Sequence, residues 1–281
     1  VTTLHIEGGD LLSQDTIRSF VREAYRELSP SDRRVATRFY PQDEIATLPD
    51  EAVRMALGVG DPVRLAALQP GQDVIDLGSG GGIDCLLAAR VVGRSGSVIG
   101  VDFLPDMVNR ATHAARSAGL ENVHFVEGLI EDLPLPDASA DVVISNGVVN
   151  LSPRKARVLA EAFRVLRPGG RLAIVDLMLE HDLPPEIQTR SAAWAGCLSG
   201  ALSEIATYKA VRRAGFREVA IEPLEPFGIA ECALYPLFDD ELLALLRSRV
   251  PAGRHDRIAM SVLVRARKPE PGEQLAGRSR D

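Results

Sequence analysis

Five short runs rich in Val and Ile alternate with helical stretches between residues 74 and 176, and this alternation constrains the fold more than any other feature of the chain. Val74-Ile75-Asp76-Leu77, Ser97–Asp102, Val123–Glu127, Ala140–Ser145 and Arg171–Asp176 read as strands. Helical patterns fill Cys85–Val92, about 105–118 and 153–166 between them. Strands that are apolar on both faces need cover on both faces, so a parallel sheet with helices on either side follows.

The flanks read differently. Residues 11–56 form helices and turns, with a capping signal at Ser13-Gln14-Asp15-Thr16 ahead of Ile17, Phe20, Val21 and Tyr25 at helical spacing. The pattern changes near Pro70-Gly71. Beyond Asp176 a helical region spans about 181–214 and contains Trp194 and the small-residue patch Gly196-Cys197-Leu198-Ser199-Gly200-Ala201. Phe216–Glu222 and Ile258–Ala266 read as two more strands, with a helix over 239–248 between them. The tail from Lys268, rich in Pro, Gly, Glu and Arg, is expected to be disordered. The expected organisation is a helical cap (1–56), a core (57–178), lid helices with completing strands (179–267), and the tail (268–281).

Hydrophobic residues at 46% and charged residues at 25% are enough for a buried core. The net charge of -7, with Arg scattered among acids, argues against a nucleic-acid polymer as partner and toward a small-molecule substrate. No apolar run reaches the roughly 18 residues of a membrane span, and Val1–Glu7 does not resemble a signal peptide, so a cytoplasmic protein is expected. A homodimer is open. Cys85, Cys197 and Cys232 include no CxxC pair and read as reduced thiols, with no metal site.

Asp76-Leu77-Gly78-Ser79-Gly80-Gly81-Gly82 lies where the first strand meets the first helix. Glycines there permit a sharp turn and let a ligand reach bare backbone, beside the free N–H groups of a helix start. A tight turn with no ligand would explain the loop equally well if it stood alone. Asp102, ending the second strand, adds an acceptor suited to both hydroxyls of a ribose. A nicotinamide dinucleotide also uses such an acid, so an oxidoreductase is the competing class. Ile83 stands where the dinucleotide pattern needs its third glycine, and no phosphate-binding Lys follows the loop. Asp76 would repel a pyrophosphate and welcome the ammonium of a methionine moiety.

The glycine loop, Asp102, the segment Gly128–Pro136, Asp141–Asn146 and Leu166-Arg167-Pro168-Gly169-Gly170 occur in the order of class I methyltransferases, which the chain resembles over roughly 57–178. The resemblance implies a Rossmann-like seven-stranded α/β sheet with an antiparallel last strand, supplied by Ile258–Ala266, and S-adenosylmethionine as cofactor. It implies that Gly78, Ser79 and Gly80 approach the methionine part. Asp102 would meet the ribose, with Phe103, Leu104 and Met107 beside ribose and adenine. Ile130 and Glu131 would meet the adenine edge, because Leu129 replaces the usual Asp. Asn146 would stand near the sulfonium and the substrate.

Within that class Leu57–Pro62, Gly80–Asp84, Ile144–Pro153 and Cys197–Leu202 resemble arsenite methyltransferases, which hold trivalent arsenic with thiolates. Here Val59 and Gly147 occupy two of the expected cysteine positions, and only Cys197 matches. The expected reaction is therefore methyl transfer to a small organic acceptor, with Gly147 leaving room for it, and arsenite methylation is the alternative. Candidate acceptor contacts are Gly147, Trp194 and Cys197. Asn146 and Tyr40 are the candidate catalytic residues, Tyr40 reaching the cleft from the cap. For Trp194, Cys197 and Tyr40, plain packing is the competing reading.

Overall fold

The computed structural model describes residues 13–30 and 32–273. Its strands are β1 (Asp73–Leu77), β2 (Ser97–Asp102), β3 (Val123–Glu127), β4 (Ala140–Asn146), β5 (Leu166–Met178), β6 (Arg217–Phe227) and β7 (Ala259–Arg267). They form one seven-stranded sheet in the order β3-β2-β1-β4-β5-β7-β6. The first five strands pair in parallel, and β7 runs antiparallel to both β5 and β6.

Side chains that alternate along each strand feed two separate apolar layers. Val74 packs in one layer and Ile75 and Leu77 in the other. Val142 and Ile144 oppose Val143 in the same way, and Ala173 and Val175 oppose Leu172 and Ile174. Burying each large aliphatic contributes about 1.5–3 kcal/mol, so both faces of the sheet must be covered. Helices Ile83–Val92, Pro105–Ser117 and Lys155–Val165 provide that cover as crossovers between parallel strands.

Several expected boundaries move: β5 begins at Leu166, five residues before the expected Arg171, and ends two residues beyond Asp176. β6 continues to Phe227 through Pro223 and Pro226, where the sequence suggests a stop at Glu222. It is an edge strand, so a residue without an N–H is tolerated, and the register shift between Pro223 and Glu225 absorbs the misfit. The start of the expected tail is docked: Lys268 N donates to Gly170 O (2.8 Å), and its Nζ donates to Phe163 O (2.7 Å) and Leu166 O (2.6 Å). The rest of the tail, from residue 274, lies outside the described residues.

The N-terminal helices share the core of the sheet. Val21, Tyr40 and Ile45 belong to the same apolar cluster as Leu198, Phe227 and Leu263. Ser13 caps helix Gln14–Arg26 by accepting from Thr16 N, as the sequence indicates, and Tyr25 Oη donates to Ala195 O (3.1 Å). That helix is thereby fastened to helix Ser191–Ala195 above the carboxyl end of the sheet. Among the described residues no helix is long and apolar enough to cross a membrane.

Candidate active site

Strand order reverses between β1 and β4, and a crevice at such a switch point is where open α/β sheets take ligands. The principal cleft opens there under helix Gln14–Arg26, enclosing about 1040 Å³ of empty space that includes its open mouth. Its wall is built from the loop after β1, the end of β2, the segment after β3 and the end of β4.

The loop is anchored by Gly78 N and Ser79 N, which both donate to Val101 O (2.8 and 3.0 Å). Gly78 has φ +76°, and a Cβ there would sit 2.4 Å from Val148 Cγ1, so both conformation and space exclude a side chain. A Cβ on Gly80 would meet nothing within 4 Å, so the loop leaves open space over its backbone. Ser79 Oγ is buried and has no hydrogen-bond partner among the described residues. Asp102 accepts from Gly80 N (2.9 Å) and Leu104 N (3.0 Å), which fixes its carboxylate at the loop. Burial pushes its pKa up, and the backbone N–H groups oppose that shift. An unpartnered hydroxyl, an open backbone cradle and a buried oriented carboxylate fit the amino acid and ribose ends of a nucleoside such as S-adenosylmethionine.

Phe103 and Met107 continue the wall beyond Asp102, with the Arg22 guanidinium 5.8 Å from the Phe103 ring centroid. Ile130 and Glu131 enter from a segment clamped from below. Arg164 donates to Leu133 O (3.0 Å) and Leu135 O (2.8 Å), and Glu161 accepts from Leu133 N (2.8 Å). Glu131 Oε1 accepts from Ser152 Oγ (2.7 Å).

At the end of β4 the Asn146 side chain ties several segments together. Its Oδ1 accepts from Val59 N (2.8 Å), and its Nδ2 donates to Gly60 O (2.9 Å), Asp84 Oδ2 (3.0 Å) and Tyr40 Oη (3.0 Å). Tyr40 Oη in turn donates to Asp84 Oδ1 (2.8 Å). Burial pushes the Asp84 carboxyl well up, with the Asp76 charge adding and the Asn146 and Tyr40 hydrogen bonds opposing. Gly147 follows with φ +68°, and a Cβ there would lie 3.9 Å from Val59 Cγ1. Cys197 Sγ donates to Gly147 O (2.9 Å). Val59, Gly147 and Cys197, far apart in the chain, therefore meet at one spot.

Gly78, Ser79, Gly80, Asp102, Phe103, Met107, Ile130, Glu131, Asn146 and Gly147 all line the cleft. Four other candidates stand outside its wall. Tyr40 is buried, and burial together with Asp84 pushes its phenol well above the ordinary range, so it holds Asp84 and Asn146 in place and cannot serve as a base near neutral pH. Asp76 lies behind the loop, where its Oδ2 accepts from Cys85 Sγ (3.2 Å) and Oδ1 has no partner among the described residues. Burial raises its carboxyl to about 7. Trp194 packs beneath the Lys155 ammonium, 5.8 Å from the ring centroid. Cys197 is buried one layer behind Gly147, and burial holds its thiol well above the ordinary range.

The sequence did not assign the other wall residues to the site. Asp84 stands at the second position of helix Ile83–Val92, within a motif already recognised. Arg18, Val21 and Tyr25 share one face of helix Gln14–Arg26, and their helical spacing carried that signal. Met55 and Leu57 complete an apolar side.

A methyltransferase domain family matches residues 68–216. The chain is 46% identical over 185 residues to an arsenite methyltransferase of Halobacterium salinarum, covering 66% of this chain and 47% of that protein. It is 42% identical over 176 residues to an arsenite methyltransferase of Aquipseudomonas alcaligenes, covering 60% and 51%. The chain thus spans about half the length of these curated relatives. A solved arsenic(III) S-adenosylmethionine methyltransferase from Chlamydomonas reinhardtii superposes with a TM-score of 0.56 at 30% identity, covering 90% of this chain and 74% of that one. A Haemonchus contortus phosphoethanolamine N-methyltransferase 2, at 18% identity and a TM-score of 0.59 over 74% of this chain and 51% of that one, shares the fold. With a methyltransferase domain matched over more than half of its length and these relatives, the chain belongs to the class I S-adenosylmethionine-dependent methyltransferases, on their arsenite methyltransferase-like branch.

Proposed function

We propose that the protein transfers a methyl group from S-adenosylmethionine to a small organic acceptor held under helix Gln14–Arg26. The observation that carries this reading is the composition of the wall around the end of β4. Val59 and Gly147 stand beside a single buried thiol, Cys197, which donates its proton to a carbonyl. A soft metalloid needs several thiolates, whereas Met55, Leu57 and Leu151 offer an apolar surface to an organic molecule.

The bound cofactor supplies a methyl group on a cationic sulfur. In this reading the loop Gly78–Gly80 receives its amino acid end and Asp102 its ribose. Asn146, locked by Val59, Gly60, Asp84 and Tyr40, fixes the floor at which the acceptor is aligned. Val21, Tyr25, Met55 and Leu57 exclude water. Alignment in a dry site is the main catalytic contribution for an acceptor that is already nucleophilic. The carboxyls of Asp76 and Asp102, when ionised, favour a cation over the neutral thioether left behind.

Arsenite methylation is the second reading, favoured by the relatives named above and by Cys197. Incubation with S-adenosylmethionine and either arsenite or a metabolite extract separates the two. An organic product heavier by one methyl, without methylated arsenic, supports the proposal; methylated arsenic alone overturns it. The pair Val59→Cys and Gly147→Cys is expected to lower organic turnover and raise arsenite turnover. The Cβ positions allow the second change sterically, at a backbone cost of roughly 1–2 kcal/mol for a left-handed non-glycine residue.

A further inference from the structure

With the loop Gly78–Gly80, Asp102 and the segment Ile130–Glu131 given to the cofactor, the rest of the cleft wall is left for the methyl acceptor. Val21, Met55, Leu57, Val148 and Leu151 make most of it apolar. Among the described residues its hydroxyl and amide groups are already engaged. Tyr25 Oη donates to Ala195 O (3.1 Å), and both ends of the Asn146 amide are taken by Val59, Gly60, Asp84 and Tyr40. Ser152 Oγ donates to Glu131 Oε1 (2.7 Å) and accepts from Arg154 N (3.0 Å). Backbone groups of the wall are turned outward too. Gly58 O accepts from Tyr235 Oη (2.8 Å), while Gly147 N donates to Val175 O (2.8 Å) and Gly147 O accepts from Cys197 Sγ (2.9 Å).

Charge points the same way. Among the described residues Arg18 is the single cation of the wall, and carboxylate oxygens of Asp15 and Glu131 already stand 3.6 and 3.7 Å from its terminal nitrogens. The wall's other ionisable side chains include the carboxyls of Asp84, Asp102 and Glu131. A carboxylate or phosphate entering this space would lose its water, face carboxyls and find no unpaired cation. An ion buried without a partner is strongly disfavoured.

We propose that the acceptor is an apolar molecule, uncharged when bound, that carries no carboxylate, phosphate or sulfate. The proposal rests on the reading that the cleft methylates an organic acceptor, and it narrows that acceptor to one class. The lone pair of a neutral nucleophile forms the bond to the methyl carbon, and the methyl–sulfur bond breaks with its electron pair kept by sulfur. The proton of the attacked atom passes to water as the product leaves. Shape and apolar contact select the acceptor, and anionic metabolites are excluded before the chemistry.

The test has two arms. A metabolite extract is split at pH 8 on an anion-exchange resin, and each fraction is incubated with methyl-labelled S-adenosylmethionine. Label is expected in the unretained fraction, in products that partition into octanol. Label confined to the retained anions overturns the proposal and leaves the organic reading standing. Label on added arsenite and in neither fraction removes that reading instead. In the second arm, calorimetry on the complex with S-adenosylhomocysteine compares naphthol with naphthoate, one ring system that is neutral in the first and anionic in the second at pH 8. Naphthoate is expected to bind about ten-fold or more weakly. Leu57→Lys, which brings a cation into the apolar wall, is expected to close that gap. Naphthoate binding as tightly as naphthol to the wild-type protein, or no binding of either, overturns the proposal whether or not the variant folds. Undiminished discrimination in a folded Leu57→Lys also overturns it, because the probes would then sit outside this cleft. If no label is transferred at all, the second arm decides alone.

Discussion

Asn146→Asp keeps the shape of the side chain and replaces its N–H donors with an oxygen. In the native protein Nδ2 faces three acceptors: Asp84 Oδ2 at 3.0 Å, Gly60 O at 2.9 Å and Tyr40 Oη at 3.0 Å. An ionised carboxylate satisfies none of these, apart from Tyr40 if its hydroxyl swings away from Asp84. Leaving a buried acceptor unpaired costs about 1–3 kcal/mol, and more beside a charge, so the loss is expected to be about 3–5 kcal/mol at pH 8. Two carboxyls this close cannot both ionise, and Asp84 already has its pKa raised by burial. The folded state of the variant therefore holds a proton that the unfolded state releases in the ordinary carboxyl range near pH 4. Stability from that proton is present below this range and disappears as the pH rises through the folded-state value. Urea unfolding should show a small deficit near pH 4.5 that widens toward pH 8. Total stability is commonly about 5–15 kcal/mol, so the loss is easily measured. A variant as stable as wild type at pH 8, or one with a pH-independent deficit, refutes the inferred network.

Three further outcomes are expected. Gly58→Ala would place a Cβ 2.1 Å from Asn146 Nδ2, so it should lower the unfolding midpoint and the affinity for S-adenosylhomocysteine together; unchanged values of both refute the close approach. Near pH 7 Asp76, with a pKa of about 7, is partly protonated. A sulfonium cation favours its ionised form, so S-adenosylmethionine binding should release protons and tighten as the pH rises through that region. Calorimetry in phosphate and Tris buffers should then give different apparent heats for S-adenosylmethionine, and equal heats refute the coupling. All three cysteines are buried thiols with raised pKa values, so an aromatic disulfide reagent at pH 8 should react slowly until urea exposes them; rapid native labelling would show that the cap opens freely.

Much of the sheet was legible because its strands are covered on both faces. β2 and β3 begin and end where the Val/Ile runs do. β6 outran its prediction because Pro223 and Pro226 mark strand ends only where a ladder N–H is needed, and edge position is a tertiary property. The cofactor half of the site was legible for a related reason: Gly78, Gly80 and Asp102 act through backbone conformation and one carboxylate, which leave local signatures. The acceptor half was less so. Tyr40 and Trp194 have the residue types of cleft walls, but their facing is decided by Asp84 and Asn146 in one case and Lys155 in the other, all distant in sequence. The exchange of Asp76 for Asp84 was within reach. Side-chain alternation along β1 puts Asp76 on the same face as Val74, against Cys85 of the covering helix, while Asp84 opens that helix beside the cleft.

The two halves of the site respond differently to substitution, and this bears on what the protein methylates. The loop side is fixed by constraints that admit few residues: a Cβ at Gly78 collides with Val148, and one at Gly58 collides with Asn146. Around Gly147 the nearest atoms to a Cβ lie at 3.7–3.9 Å, ordinary contact distances. That spot can therefore gain a side chain without a clash, at the backbone cost of a left-handed non-glycine residue. Cys197, with its thiol given to Gly147 O and kept protonated by burial, lacks the thiolate character that binds a soft centre. Supplying thiolates there therefore requires cysteines added at 59 and 147, since Cys197 alone stays protonated. Arsenite protection of Cys197 from alkylation in the wild-type protein would contradict this reasoning directly, because it would show one buried thiol capturing the metalloid without partners.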